Sequence, residues 1–162
     1  MSEVKQNLYV MVGIPGSGKS TYAKKNFTDA KYVSRDEIRF SLLDDNDEYF
    51  SKEDKVFIQF TNEINKGLAE GKDVVADATH LTPKSRAKLF SHLRFDTEKV
   101  RVIAVYMETP FRVCSERNRE RIVENPKTYV PKNVLMTMEK NFIKPNFTEC
   151  HGMFDEIRTI KY

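Results

Sequence analysis

The chain of 162 residues is 40% apolar and 31% charged, the balance of a globular protein long enough to bury one hydrophobic core. A formal net charge of +3 does not by itself announce a polyanionic partner, and no apolar run approaches the ~20 residues that a bilayer-spanning helix needs. Cys114 and Cys150 form no Cys-x-x-Cys pair and fall in no His-rich cluster, which argues against a zinc motif or a disulfide framework. The charged start MSEVKQN lacks the apolar core of a secretory signal, so a cytoplasmic setting is expected.

The first predicted strand is 7–12, built on the apolar run LYVMV. GIPGSGKST follows at 13–21 and satisfies G-x-x-x-x-G-K-[ST] through Gly13, Gly18, Lys19 and Ser20. TYAKKNF then reads as a helix. Strand, glycine loop and helix are the setting in which backbone N–H groups and a helix N-terminus cradle a polyphosphate. The loop residues Gly13, Pro15, Gly16, Ser17, Gly18, Lys19, Ser20 and Thr21 are therefore the expected nucleotide-binding set, with Lys19 reaching the β- and γ-phosphates and Ser20 holding Mg²⁺.

Further strands are expected at KYVS (31–34), DVVADA (73–78), VRVIAVYM (100–107) and FDEIRTI (154–160). Between them, Phe57, Phe60, Ile64 and Leu68 form a helical stripe ending at Gly71, a candidate helix stop. Thr82-Pro83 and Thr109-Pro110 both read as an N-cap followed by a first-turn proline. Alternating strands and helices predict an α/β fold, a parallel sheet with helices on both faces, over one domain spanning 1–162. Ligands then lie beyond the carboxyl ends of the strands, so the residues just after each strand are the ones to search.

After the second strand, SRDEIR offers Arg35, Asp36, Glu37 and Arg39. Asp36 could orient and deprotonate an attacking hydroxyl, and Arg39 at i+3 could share its cleft. A first-turn helix acid explains Asp36 equally well at this stage. After the third strand, Asp77 ends an apolar run and reads as a magnesium-side carboxylate, followed by Thr79 and His80, the latter more often a polar loop residue than a catalytic one. His92 and His151 show no partner and read as structural or surface residues. After the fourth strand, Arg117 and Arg121 share a helix face at i, i+4, and two like charges so placed call for an anion. Arg112 and Arg119 lie on other faces. ENPKTY (124–129) breaks this helix and Val130-Pro131 starts another, so about 117–135 reads as a small arginine-bearing lid with a flexible turn. Arg39 and Arg86 favour a phosphate-bearing acceptor, whereas the acidic run DDNDEYFSKED (44–54) would repel one if it lay beside the path. Tyr49, Phe50 and Phe57 could stack a base or fill the core.

In their order and spacing, GIPGSGKST, RDEIR, DATHLTP and ERNRER…VP resemble the polynucleotide 5′-hydroxyl kinase family of P-loop kinases, from about residue 7 to 160. The resemblance implies a P-loop kinase fold, ATP and Mg²⁺ as cofactors, and nucleic-acid 5′-hydroxyl ends as partners, with no membrane and no obligate protein partner. It implies Asp36 as general base, Arg39 on the acceptor phosphate, and Arg35, Asp77 and Thr79 on the acceptor side. It also implies Arg121 on the donor phosphates and Arg117 near the donor nucleotide. His80 stands where an asparagine is common in that branch, and neither a D-x-D-G-T phosphatase signature nor a ligase lysine motif is found. Two other functions stay open. One is a P-loop kinase acting on a small-molecule hydroxyl, such as a sugar acid or nucleoside. The other is a nucleotide-binding module without catalysis, which would have no need of Asp36 together with Arg39. A guanine-selecting N-K-x-D is not met by Asn65-Lys66-Gly67-Leu68.

Overall fold

A computed structural model describes residues 5–162; residues 1–4, and with them most of the charged MSEVKQN start, lie outside the described residues. The elements run β1 (Gln6–Val12), α1 (Lys19–Asn26), β2 (Lys31–Ser34), α2 (Arg35–Leu42), α3 (Glu53–Ala69), β3 (Val74–Asp77), α4 (Pro83–Ser91), β4 (Val100–Glu108), α5 (Phe111–Glu124), α6 (Lys132–Asn141) and β5 (Glu156–Lys161), with 3-10 turns at Pro126–Thr128 and Glu149–Gly152. All five strands are parallel, in the order β2-β3-β1-β4-β5. No helix among the described residues is long and apolar enough to cross a membrane.

Side chains alternate across the sheet, as a two-residue period requires. Leu8, Val10 and Val12 of β1 point to one face with Ala76, Val102 and Ala104, where Phe60 and Ile64 of α3 and Leu89 of α4 cover them. Met11, Val75, Ile103 and Val105 point to the other, against Ala23 of α1. Burial on both faces is why these strands read as unbroken apolar runs rather than alternating ones. The α3 stripe is buried at Phe57, Phe60, Ile64 and Leu68. The helix stops where expected: Gly71 takes φ +78°, and the Lys72 N–H donates to the Gly67 carbonyl at 3.1 Å. Replacing fully buried Phe60 by Ala should cost about 3–5 kcal/mol of stability.

The last strand begins two residues later than FDEIRTI suggests. Phe154 turns into the core, and the Asp155 carboxylate accepts from the Val102 N–H at 2.8 Å before strand pairing starts. In register, Met11 and Ser34 both lie opposite Asp77, so β1, β2 and β3 end side by side. The chain switches across β1 between its first and second halves, which puts the glycine loop at the reversal point of the sheet, where open α/β folds bind ligands.

Candidate functional site

Beyond β1 the chain enters left-handed backbone at Gly16 (φ +85°) and Gly18 (φ +95°). A side chain at Gly16 would also meet the Cys114 carbonyl at 2.7 Å, so only glycine lets the loop rest on α5. The loop carbonyls are occupied. Lys19 Nζ donates to Ile14 (3.0 Å), Arg117 to Gly16 (3.0 Å) and the Thr109 hydroxyl to Ser17 (2.8 Å). Thr109 is therefore not the helix cap that Thr109-Pro110 suggested: Pro110 takes the cap position of α5, and the hydroxyl goes to the loop. Thr82, by contrast, caps α4 in a reciprocal box with Ser85. The loop N–H groups of Gly16 and Gly18 have no backbone acceptor among the described residues, which leaves them for an anion.

Lys19 and Ser20 open α1, directly above the end of β3. Asp77 is 4% exposed, and its carboxylate accepts from Ser20 Oγ at 2.7 Å and from the Tyr32 hydroxyl. Burial, and then Asp77 itself, push the Tyr32 phenol well above its ordinary range, so it serves there as a neutral donor. Tyr32 was not singled out in the sequence; its strand position opposite Val75 gave no hint of a reach to Asp77. A hydroxyl bonded to a buried carboxylate is a hard-oxygen donor set that suits Mg²⁺, which takes few protein ligands and keeps phosphate oxygens. Among the described residues no group of three His, Cys, Asp or Glu side chains could hold a metal alone. The structure thus places Asp77 on the Ser20 side of the loop. Burial lowers the Lys19 ammonium below its ordinary range; the charges of Asp77 and then Asp36 oppose that, and that of Arg121 adds to it.

Two openings flank the loop. The larger, about 700 Å³, is walled by Gly16, Ser17 and Gly18, by Thr21 and Lys25 of α1, by Thr109, by Arg117 and Arg121, and by Tyr162. That volume is in the range of small-molecule sites. Arg117 lies over the Tyr162 ring, 5.8 Å from its centre. Neither Arg117 nor Arg121 has a carboxylate partner among the described residues; Arg112 pairs with Glu116, and Arg119 is exposed. The turn between α5 and α6, expected to be flexible, is bonded back to α5. Buried Asn118 donates to the Val130 carbonyl (2.7 Å) and accepts its N–H (2.9 Å), stapling the far side of the turn to α5.

The smaller opening, about 150 Å³, is lined by Pro15, Arg35, Asp36, Arg39, Tyr49, Phe50, Glu53, Ala78, Thr79 and Met138. Ser34 caps α2 by accepting the Glu37 N–H at 3.1 Å, so Asp36 is not needed as the cap. Asp36 instead bonds Arg39, while its carboxylate stays more than half exposed. Arg39 is 5% exposed and is gripped by both oxygens of Glu53, at 2.5 and 3.1 Å, and Glu53 also takes Arg35 at 2.9 Å. Burial alone would make Arg39 easier to deprotonate, but the Glu53 bonds outweigh it and hold the guanidinium charged. Glu53 was overlooked because its acidic neighbours read as a solvated face; Asp44 and Asp47 do pair with Lys52 as such a face would. Asp77 does not line this pocket, whereas Thr79 does.

Arg86 is corrected. It is wholly buried, with its guanidinium on Glu149 (2.6 and 2.8 Å) and on the carbonyls of His80 and Ile143, so it meets no acceptor. His80, read as a loop residue, is 6% exposed, takes φ +46° and shares a 2.6 Å hydrogen bond through Nδ1 with the Met11 carbonyl. Burial pulls its imidazole down to about 4, so it stands neutral. His92 and His151 are exposed, as expected.

A phosphate-binding loop after the central strand of a five-stranded parallel sheet, with a helical arginine-bearing flap beside it, defines a P-loop kinase fold. The chain belongs to the AAA domain family, whose description fits residues 8–145. It is 29% identical over 98% of its length to a protein of Acanthamoeba polyphaga mimivirus named "putative bifunctional polynucleotide phosphatase/kinase", of which it spans 34%, about a third. The resemblance read from the motifs is thus met among its relatives. Among solved structures, a "putative kinase" from Chloroflexus aurantiacus superposes with a TM-score of 0.71 at 13% identity, covering 99% of this chain and 87% of that one. A chain of the Pnkp1/Rnl/Hen1 RNA repair complex does so with 0.65 at 22% identity, covering 88% and 48%.

Proposed function

We propose that the chain is an ATP-dependent kinase that transfers the γ-phosphoryl group to the 5′-hydroxyl end of a polynucleotide, within one kinase domain spanning 1–162 whose lid covers about 117–135. The observation that carries this reading is the pairing of Asp36 with Arg39 in the smaller pocket, while Arg121 walls the larger cleft on the same glycine loop. The larger cleft takes the nucleoside triphosphate and the smaller pocket takes the acceptor hydroxyl. Asp36 accepts the hydroxyl proton as the new O–P bond forms in line, and the bond to the β,γ-bridging oxygen breaks to release ADP. Lys19 and Arg121 meet the charge that develops on the transferring group and the leaving oxygen, where preorganised cations do most for the rate. Arg39 fixes the Asp36 carboxylate, and Arg117 sits beside the donor nucleotide. Ser20, backed by Asp77, would hold Mg²⁺, which would neutralise phosphate charge there. The mimivirus relative's name and the RNA repair complex support a polynucleotide acceptor.

The test is incubation with γ-labelled ATP and a panel of 5′-hydroxyl RNA, 5′-hydroxyl DNA, nucleosides and sugar acids. Label on an oligonucleotide supports the assignment. Label on sugars or nucleosides alone moves the chain to the small-molecule kinases, and ATP binding with no acceptor labelled leaves a non-catalytic module.

A further inference from the structure

Resting on the reading above, we propose that Phe50, braced by Tyr49, is a stacking platform for the base of the acceptor's terminal nucleotide. Of the three aromatics singled out in the sequence, Phe57 is buried in the core, whereas Tyr49 and Phe50 line the pocket that holds Asp36. Tyr49 is fixed from several sides. Its ring sits edge-on to Phe40 (6.0 Å) and Phe50 (4.5 Å), the Arg39 guanidinium lies 4.7 Å from its centre, and Arg39 also donates to its hydroxyl at 3.3 Å. Phe50 rests on that support and yet is 43% exposed. A large aromatic held rigid by its neighbours but left open to solvent has lost little further freedom when a flat partner covers it. Met138 of α6 closes the other side of the pocket with a polarisable sulphur.

The charges decide what kind of acceptor fits. Arg35 and Arg39 carry two positive charges, and Asp36 and Glu53 carry two negative ones, all mutually bonded. A carboxylate-bearing sugar acid would find both guanidinium groups already paired with carboxylates, although the buried Arg35 Nε keeps its hydrogen unbonded. Balanced charge with aromatic and thioether walls suits a nucleobase, bound through its π-face and hence with little preference among bases.

The experiment compares two 5′-hydroxyl oligonucleotides that differ only in the terminal residue, one carrying its base and one an abasic tetrahydrofuran. Each is tested with the wild-type chain, Phe50→Ala, Phe50→Leu and Phe50→Trp. Removing the base should raise the wild-type KM about tenfold, within the range measured for base–aromatic stacks, with little change in kcat. Phe50→Ala and Phe50→Leu should raise KM for the normal acceptor by a similar factor and no longer distinguish the two acceptors. Phe50→Trp should restore the discrimination, which bulk alone, as in Phe50→Leu, does not. If the abasic acceptor is penalised equally in all four proteins, or in none, the platform is wrong while the kinase assignment stands. If no oligonucleotide is labelled by the wild-type chain, both fall together.

Discussion

The two sides of the glycine loop hold the same number of arginines and treat them in opposite ways. Arg117 and Arg121, on the larger cleft, have no carboxylate partner among the described residues, and burial with Arg121 nearby already weakens the charge of Lys19. Arg35 and Arg39, on the smaller pocket, are matched charge for charge by Glu53 and Asp36. An open set of cations is costly to hold together and is relieved by a polyanion, which suits a triphosphate. A closed set does not attract; it orients. Its product is a carboxylate held at a fixed place. The contrast teaches that counting basic residues near a site says little until each one's partner is known.

The contrast can be broken most severely at the closed side. Asp36→Asn keeps the shape and removes the proton acceptor, so kcat should fall by about 10²–10⁴-fold while ATP binding, read by calorimetry, stays near wild type. Near-normal turnover would show that the closed set orients nothing of consequence. Lys19→Ala, on the open side, should remove ~3–4 kcal/mol of transition-state stabilisation, read from kcat/KM for ATP. A third measurement concerns the wall behind the closed pocket. The His80 pKa is about 4 in the fold against 6.5 when free, so the unfolded chain binds the proton more readily between these values. The stability that neutral His80 contributes is present above pH 6.5 and lost as pH falls toward 4, by up to about 3 kcal/mol. Urea unfolding at pH 7 and pH 4.5 should show that loss. It should shrink in His80→Asn, since asparagine accepts the left-handed backbone there. Glu53→Gln deprives both arginines of their shared carboxylate, and with Arg39 only 5% exposed it should cost about 3–5 kcal/mol of stability, read by urea unfolding at pH 7. With a 5′-hydroxyl oligonucleotide acceptor, the wild-type KM should rise between about 50 and 200 mM salt as phosphate contacts release counterions; a salt-insensitive KM would favour a small-molecule acceptor.

The scaffold was legible because parallel strands covered on both faces appear as continuous apolar runs, which LYVMV and VRVIAVYM are. The glycine loop was legible because its geometry requires glycine where the left-handed backbone falls. What local sequence could not supply were partners from far along the chain. Thr82-Pro83 and Thr109-Pro110 look alike, yet one threonine caps its helix and the other bonds Ser17, 92 residues away. Arg39 and Arg86 look alike too. One is held at the mouth of a pocket by Glu53 and the other is sealed in the core by Glu149, 63 residues on. Glu53 itself was hidden among acids that do face solvent.

The Asn118 clamp on Val130 has a mechanical corollary. Two hydrogen bonds across the turn hold the start of α6 against α5, so the two arms of the flap are tied at the elbow by more than the chain itself. Arg121 stands on one arm and Met138 on the other. The flap thus spans both openings: one arm walls the larger, the other walls the smaller, and the Asn118–Val130 tie lies between them.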